Sequence, residues 1–170
     1  IDVRFISLIN MASAYIVQEN YSKAEDILNM AKGIVGSAAP ESECVLNGNY
    51  AMLYRCQGKL NDAEIYIRKS ITQAEQLQYK EYIWGGKSEL WRILSAKGDV
   101  KGSFIAAAEA LDAAKETGDL GKEAAALEDY AMAALDYKGI EFTSDILRKA
   151  IVAYEMLGDS NKVQELRALW

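Results

Sequence analysis

Apolar residues recur along this chain at i, i+4, i+7 and i+8. One stripe runs through Leu46, Tyr50, Leu53 and Tyr54, the next through Ala63, Tyr66, Ile67, Ser70, Ile71 and Ala74. A later one runs through Thr143, Ile146, Leu147, Ala150, Ile151 and Tyr154. That spacing follows the 3.6-residue turn of a helix and not the alternation of a strand. Gly58, Gly98 and Gly139 interrupt the stripes at one set of places, and Pro40, Gly118 and Gly158 at another. Both residue types punctuate helices. The pattern predicts helices over 2–18, 21–35, 40–57, 60–77, 80–97, 100–117, 120–137 and 140–157, with a ninth beginning in 160–170.

The stripes are periodic at a longer scale. Ala24, Ala63, Ser103 and Thr143 are separated by 39, 40 and 40 residues, and Ala31, Ser70, Ala110 and Ala150 follow them at the same offset. Ala12, Ala51, Trp91 and Ala131 precede them in the same register, and Thr117-Gly118-Asp119 recurs as Leu157-Gly158-Asp159. A repeated helix pair cannot bury its apolar face alone, so neighbouring pairs stack to make a continuous core. Small residues where two helices cross let the backbones approach. These features predict one all-α domain over 1–170, a right-handed α-α superhelix of four helix pairs. Its units lie at about 1–39, 40–78, 79–118 and 119–158, with a partial unit at 159–170.

Composition narrows the function more than the fold. The single proline suits long helices, and no apolar run reaches the roughly 20 residues that span a bilayer. Net charge is −6, and the surplus lies in residues 101–145, which carry 4 basic and 10 acidic side chains. Such a surface repels phosphates, which argues against nucleic acid as partner. Cys44 and Cys56 fall on one predicted helix about 18 Å apart, too far for a disulfide, so a reducing cytoplasm is expected. With no His, no phosphate-binding glycine loop and no metal-ligand spacing, neither catalysis nor a metal or cofactor is expected. The chain opens on Ile1 and stops at Trp170 inside a predicted helix, which reads as a segment of a longer protein.

Ala12, Tyr15, Ala24, Leu28 and Ala31 resemble the tetratricopeptide repeat signature A-x2-Y-x8-A-x3-L-x2-A, and Ala51, Tyr54, Gly58, Ala63, Ile67 and Ser70 resemble it nearly as well. The resemblance covers essentially the whole chain. It weakens in the third and fourth units, where Trp91 takes a small residue's place and Ala134 an aromatic one's. The period near 40 is similar to that of the sensor domain of MalT-like transcription activators. The resemblance implies a protein- or peptide-binding scaffold, the sensory or interaction segment of a larger cytoplasmic regulator. As an alternative it implies a small-molecule effector sensor.

In such solenoids the first helix of each pair lines the concave face, which makes Asn10, Asn49, Met52, Arg55, Trp84, Glu89, Arg92, Asp129 and Met132 the candidate binding residues. Asn10 and Asn49 hold equivalent places and could bond a peptide backbone, since an amide both donates and accepts. Arg55 and Arg92 could anchor an acidic ligand, although Glu89 stands three residues before Arg92 and an intrahelical pair is expected there. A chaperone-tail clamp, which needs several Lys, Asn and Arg residues around the groove, is not expected, because the corresponding places hold Ile9, Ser13, Asn49, Gly85 and Glu89 and only Asn49 fits. Gly85-Gly86 falls inside the predicted fifth helix, and a late start of that helix is the favoured explanation. If the pair instead marks a kink, Trp84 and Trp91 would stand as an aromatic wall beside open backbone at mid-groove, and a small molecule would be held there together with Arg55 and Arg92.

Overall fold

The structure, a computed structural model, describes residues 2–35 and 39–169. Nine helices follow one another among the described residues, and no strand occurs. They are α1 (Val3–Val17), α2 (Tyr21–Lys32), α3 (Glu41–Cys56), α4 (Leu60–Gln76), α5 (Lys80–Ala96), α6 (Val100–Thr117), α7 (Leu120–Lys138), α8 (Ile140–Leu157) and α9 (Ser160–Arg167). Each pairs antiparallel with the next, and the pairs α1–α2, α3–α4, α5–α6 and α7–α8 stack in series. Eight of the nine lie where the apolar stripes place them. The second ends at Lys32, short of the expected residue 35, and residues 36–38 lie outside the described chain, as do Ile1 and Trp170.

The caps explain the helix boundaries. Asp2, Asn20, Asp99, Asp119 and Asp159 each accept a hydrogen bond from a first-turn N–H, the role short polar side chains serve at N-caps. The turns that close α3 and α5 put Gly58 and Gly98 at φ of 75° and 76°, a conformation open to glycine at little steric cost. Glu19 and Gln78 take equivalent places at φ of 58° and 56° without that freedom.

Small residues sit where the helices cross. Ala24, Ala31, Ala63, Ala110 and Ala150 are all fully buried, and Ser70, Ser103 and Thr143 nearly so. Between them the larger residues form three consecutive clusters, centred on Phe5, Leu28 and Leu53, on Ile67 and Ile93, and on Leu147, Ile151 and Tyr154. Successive first helices, α1 to α3, α3 to α5 and α5 to α7, approach one another more closely than successive second helices do. The first helices therefore form the inner, concave wall.

A candidate binding pocket on the concave face

Polar contacts join each first helix to the next. Ser13 on α1 donates its hydroxyl to Asn49 Oδ1 on α3 at 3.0 Å. Arg55 on α3 donates Nε–H to Glu89 Oε1 on α5 at 2.6 Å, and Arg92 on α5 meets Asp129 on α7 at 3.1 Å. Lys122 on α7 reaches back to Glu81 on α5, and Lys162 on α9 to Glu128 on α7 at 2.8 Å. Glu128 also accepts the Tyr154 hydroxyl at 2.7 Å.

This ladder corrects the expectation of an intrahelical Glu89–Arg92 pair. Both residues are in ion pairs, but with partners one repeat away. Arg92 also donates to the Ser88 carbonyl at 2.9 Å and lies over the Trp91 ring. Burial raises the pKa of the Asp129 carboxyl above its usual range, and the Arg92 guanidinium opposes that shift. The two groove arginines are thus already occupied by carboxylates of the chain itself.

The fifth helix also corrects an expectation. It starts at Lys80 and runs through Gly85 and Gly86 without a late start. The reason lies in packing. A Cβ on Gly86 would stand 2.7 Å from Ile71 Cγ1, so the glycine lets α5 lie directly against α4. Gly85 has a different setting, because a Cβ there would meet nothing within 4 Å. It faces open space on the concave side.

That space is a pocket of about 360 Å³ between α3 and α5. Gly48, Gly85 and Gly86 give it a low floor, with Cys44 and Ser70 beside them. Cys44 is buried, its thiol 3.3 Å from the Ser70 carbonyl, and burial raises its pKa. Ser13 and Asn49 close one side, Met52 and Val45 supply apolar wall, and Glu81, Tyr82 and Glu89 stand on the α5 side. Among the described residues, two carboxylates and no cation line it. Burial also pushes the Tyr82 phenol up, which keeps it a neutral donor.

Three of the nine sequence candidates, Asn49, Met52 and Glu89, come together in this pocket. Asn49 spends its amide within the chain, accepting from Ser13 and donating to the Val45 carbonyl at 2.9 Å. Asn10 is exposed on α1, and Met132 is exposed on α7. Trp84 packs against the cluster around α7, with the Lys122 ammonium 5.7 Å from its ring centre. Arg55, Trp84, Trp91 and Arg92, the expected small-molecule quartet, do not line the pocket. Sequence reasoning missed Cys44, Val45, Tyr82 and Glu81 as lining residues. The signal that could have found them was the glycine pair itself, read as space on a continuous helix.

No family model matches the chain, and no curated relative matches it. Solved structures do. A Podosopora anserina protein described as a putative kinesin light chain with nearly identical TPR-like repeats superposes with a TM-score of 0.75 at 15% identity, over 97% of this chain and 92% of its own. A singly substituted form of that protein gives a TM-score of 0.74 at 14% identity, over 99% and 94%. The fold is therefore a solenoid of the tetratricopeptide type.

Proposed function

We propose that this tetratricopeptide-type solenoid is a protein-interaction scaffold whose concave pocket between α3 and α5 receives a short extended segment of a partner. The observation that carries the reading is the Gly48–Gly85–Gly86 floor, which stays open between side chains engaged in the inter-helix ladder, Asn49, Glu81 and Glu89. The lining selects the occupant's chemistry. Glu81 and Glu89, already paired with Lys122 and Arg55, can each accept a further N–H from a basic residue on the second carboxylate oxygen, while Met52 and Val45 favour a small apolar residue beside it. Exposed backbone at Gly85 lets an extended chain approach closely.

The same reading makes the chain the sensory or interaction segment of a larger cytoplasmic regulator, of which the MalT-like kind is one form. The period near 40 supports it, as do two free cysteines that share α3 and form no bridge. A flanking ATPase or DNA-binding domain in the complete protein would support that wider role, and a complete protein holding only repeats would remove it.

Selection from a library of extended peptides tests the pocket. Binders enriched in a basic residue next to a small apolar one are expected, with amide shifts on binding at Gly48, Gly85 and Tyr82. Binders that shift only residues outside α3 and α5 would contradict the proposal.

A further inference from the structure

The opposite face carries grooves of its own, each walled by two successive second helices and floored by the first helix between them. The groove of α2 and α4 over α3 and the groove of α6 and α8 over α7 lie two repeats apart and are lined from equivalent repeat positions. Their chemistry has diverged. Thr72, Gln73 and Gln76 of α4 are replaced by Val152, Ala153 and Met156 of α8, and Asn47 on the floor by Leu127. The basic pair Arg68-Lys69 is kept as Arg148-Lys149. In the groove between these two, the floor position is Lys87, whose ammonium lies 3.5 Å from Glu75 on α4 and 3.5 Å from Glu109 on α6. One groove is crossed by a polar bond, Asn47 to Gln73 at 2.9 Å, and one is bridged by ions. The last is apolar and open, with a volume of about 560 Å³.

Leu127 and Ala153 are buried and serve the core, but nothing in the fold requires apolar residues at Val152 and Met156. Val152 is 48% exposed and Met156 71%, so neither serves the core. The apolar surface continues past Ile146 to Phe142, 47% exposed and 6.1 Å from Phe104. From Phe142 to Met156 it follows α8 for about 21 Å, enough to seat a helix of about four turns. Lys115, Arg148 and Lys149 line the groove against one carboxylate, Glu123. Lys115 shares its charge with Asp112 and Arg148 with Asp145, whereas Lys149 makes no ion pair among the described residues. These cations border the segment that carries the chain's negative surplus.

We propose that the α6–α8 groove docks an amphipathic helix of a partner protein, its apolar stripe laid along Leu127, Val152 and Met156 and its flanking carboxylates facing Lys115 and Lys149. Helix-in-groove docking uses this combination of an apolar channel and a charged rim. A second copy of this chain laid groove to groove would set Lys149 against Lys149, which disfavours it as the occupant. This site is on the other face from the concave pocket and rests on different residues.

The probe is a fluorescein-labelled synthetic helix of α8's length, with leucines at i, i+3, i+4 and i+7 and glutamates on both flanks. Its sibling carries lysine for every glutamate. Fluorescence anisotropy with the intact chain should show the glutamate helix binding at least about tenfold more tightly than the sibling. Val152→Glu with Met156→Glu should weaken it about tenfold or more, and Lys149→Glu should move the preference toward the lysine helix. A gentler variant, Val152→Thr with Met156→Gln, imports the α4 residues at these two exposed positions of α8 and should have the same effect with helix content kept. Gly85→Leu, which fills the concave pocket, should leave this binding unchanged. Absent binding, equal binding of both helices, or binding indifferent to Val152 and Met156 would overturn the proposal. Concentration-dependent dimerisation abolished by Met156→Glu would give the groove to a second copy and overturn it as well.

Discussion

Gly85 and Gly86 are adjacent on α5, and their surroundings call for opposite responses to the same change. Gly85→Ala adds a methyl to open space and removes the backbone entropy cost of glycine in a helix, so it should stabilise the chain by roughly 1 kcal/mol. Gly86→Ala drives a Cβ to 2.7 Å from the branch of Ile71, whose Cα is itself 3.9 Å away, and should destabilise by roughly 1–3 kcal/mol. Urea unfolding of the two variants side by side would measure both signs. The turns allow a second comparison. Gln78 and Glu19 hold left-handed backbone at φ of 56° and 58°, whereas the equivalent turns use Gly118 and Gly158 or Gly58 and Gly98. A side chain there carries a steric cost of about 1 kcal/mol, so Gln78→Gly and Glu19→Gly should each raise the melting temperature. An unchanged or lower melting point would mean that these two turns are held by contacts glycine cannot make.

The ion-pair ladder belongs to the scale of helices. Arg55 and Glu89 are both partly buried, with side chains 27% and 14% exposed, and they tie α3 to α5 across the rim of the pocket. A double-mutant cycle on Arg55→Ala and Glu89→Ala should give a coupling of roughly 1 kcal/mol, reduced by added salt. A coupling of zero would make the pair an ornament of the surface. That Glu89 and Arg92 would be paired was legible in the sequence, whereas Arg55 stood there only as a possible anchor for an acidic ligand. Their true partners were not legible. Arg55–Glu89 and Arg92–Asp129 are 34 and 37 residues apart, close to one repeat, and the choice depends on how far each helix pair is staggered on the last. An i, i+3 neighbour such as Glu89 for Arg92 needs no such information, which is why it presented itself first. The late start expected at Gly85-Gly86 failed for a related reason. Helix propensity counts the cost of a glycine but not the Ile71 side chain that excludes anything larger.

At the scale of the molecule, the repeat carried most of the fold into the sequence. The Ala24, Ala63, Ser103, Thr143 series marks crossings that are all buried, and the glycines after α3, α5, α6 and α8 do close their helices. What the period hides is where one repeat departs from another, and both binding surfaces lie at such departures. The concave pocket exists because Gly85 and Gly86 have no side chains where other first helices have them. The opposite groove has an apolar rim because Val152 and Met156 stand where Thr72 and Gln76 stand two repeats earlier. The concave pocket as the site of partner capture is the central claim, and Gly85→Leu isolates it. The substitution enters the pocket from a helical position where an added Cβ meets nothing within 4 Å. Calorimetric titration of a selected basic extended peptide should show binding to the native chain and at least about tenfold weaker binding to Gly85→Leu, at an equal or higher melting temperature. Equal affinity for the two proteins would contradict the account.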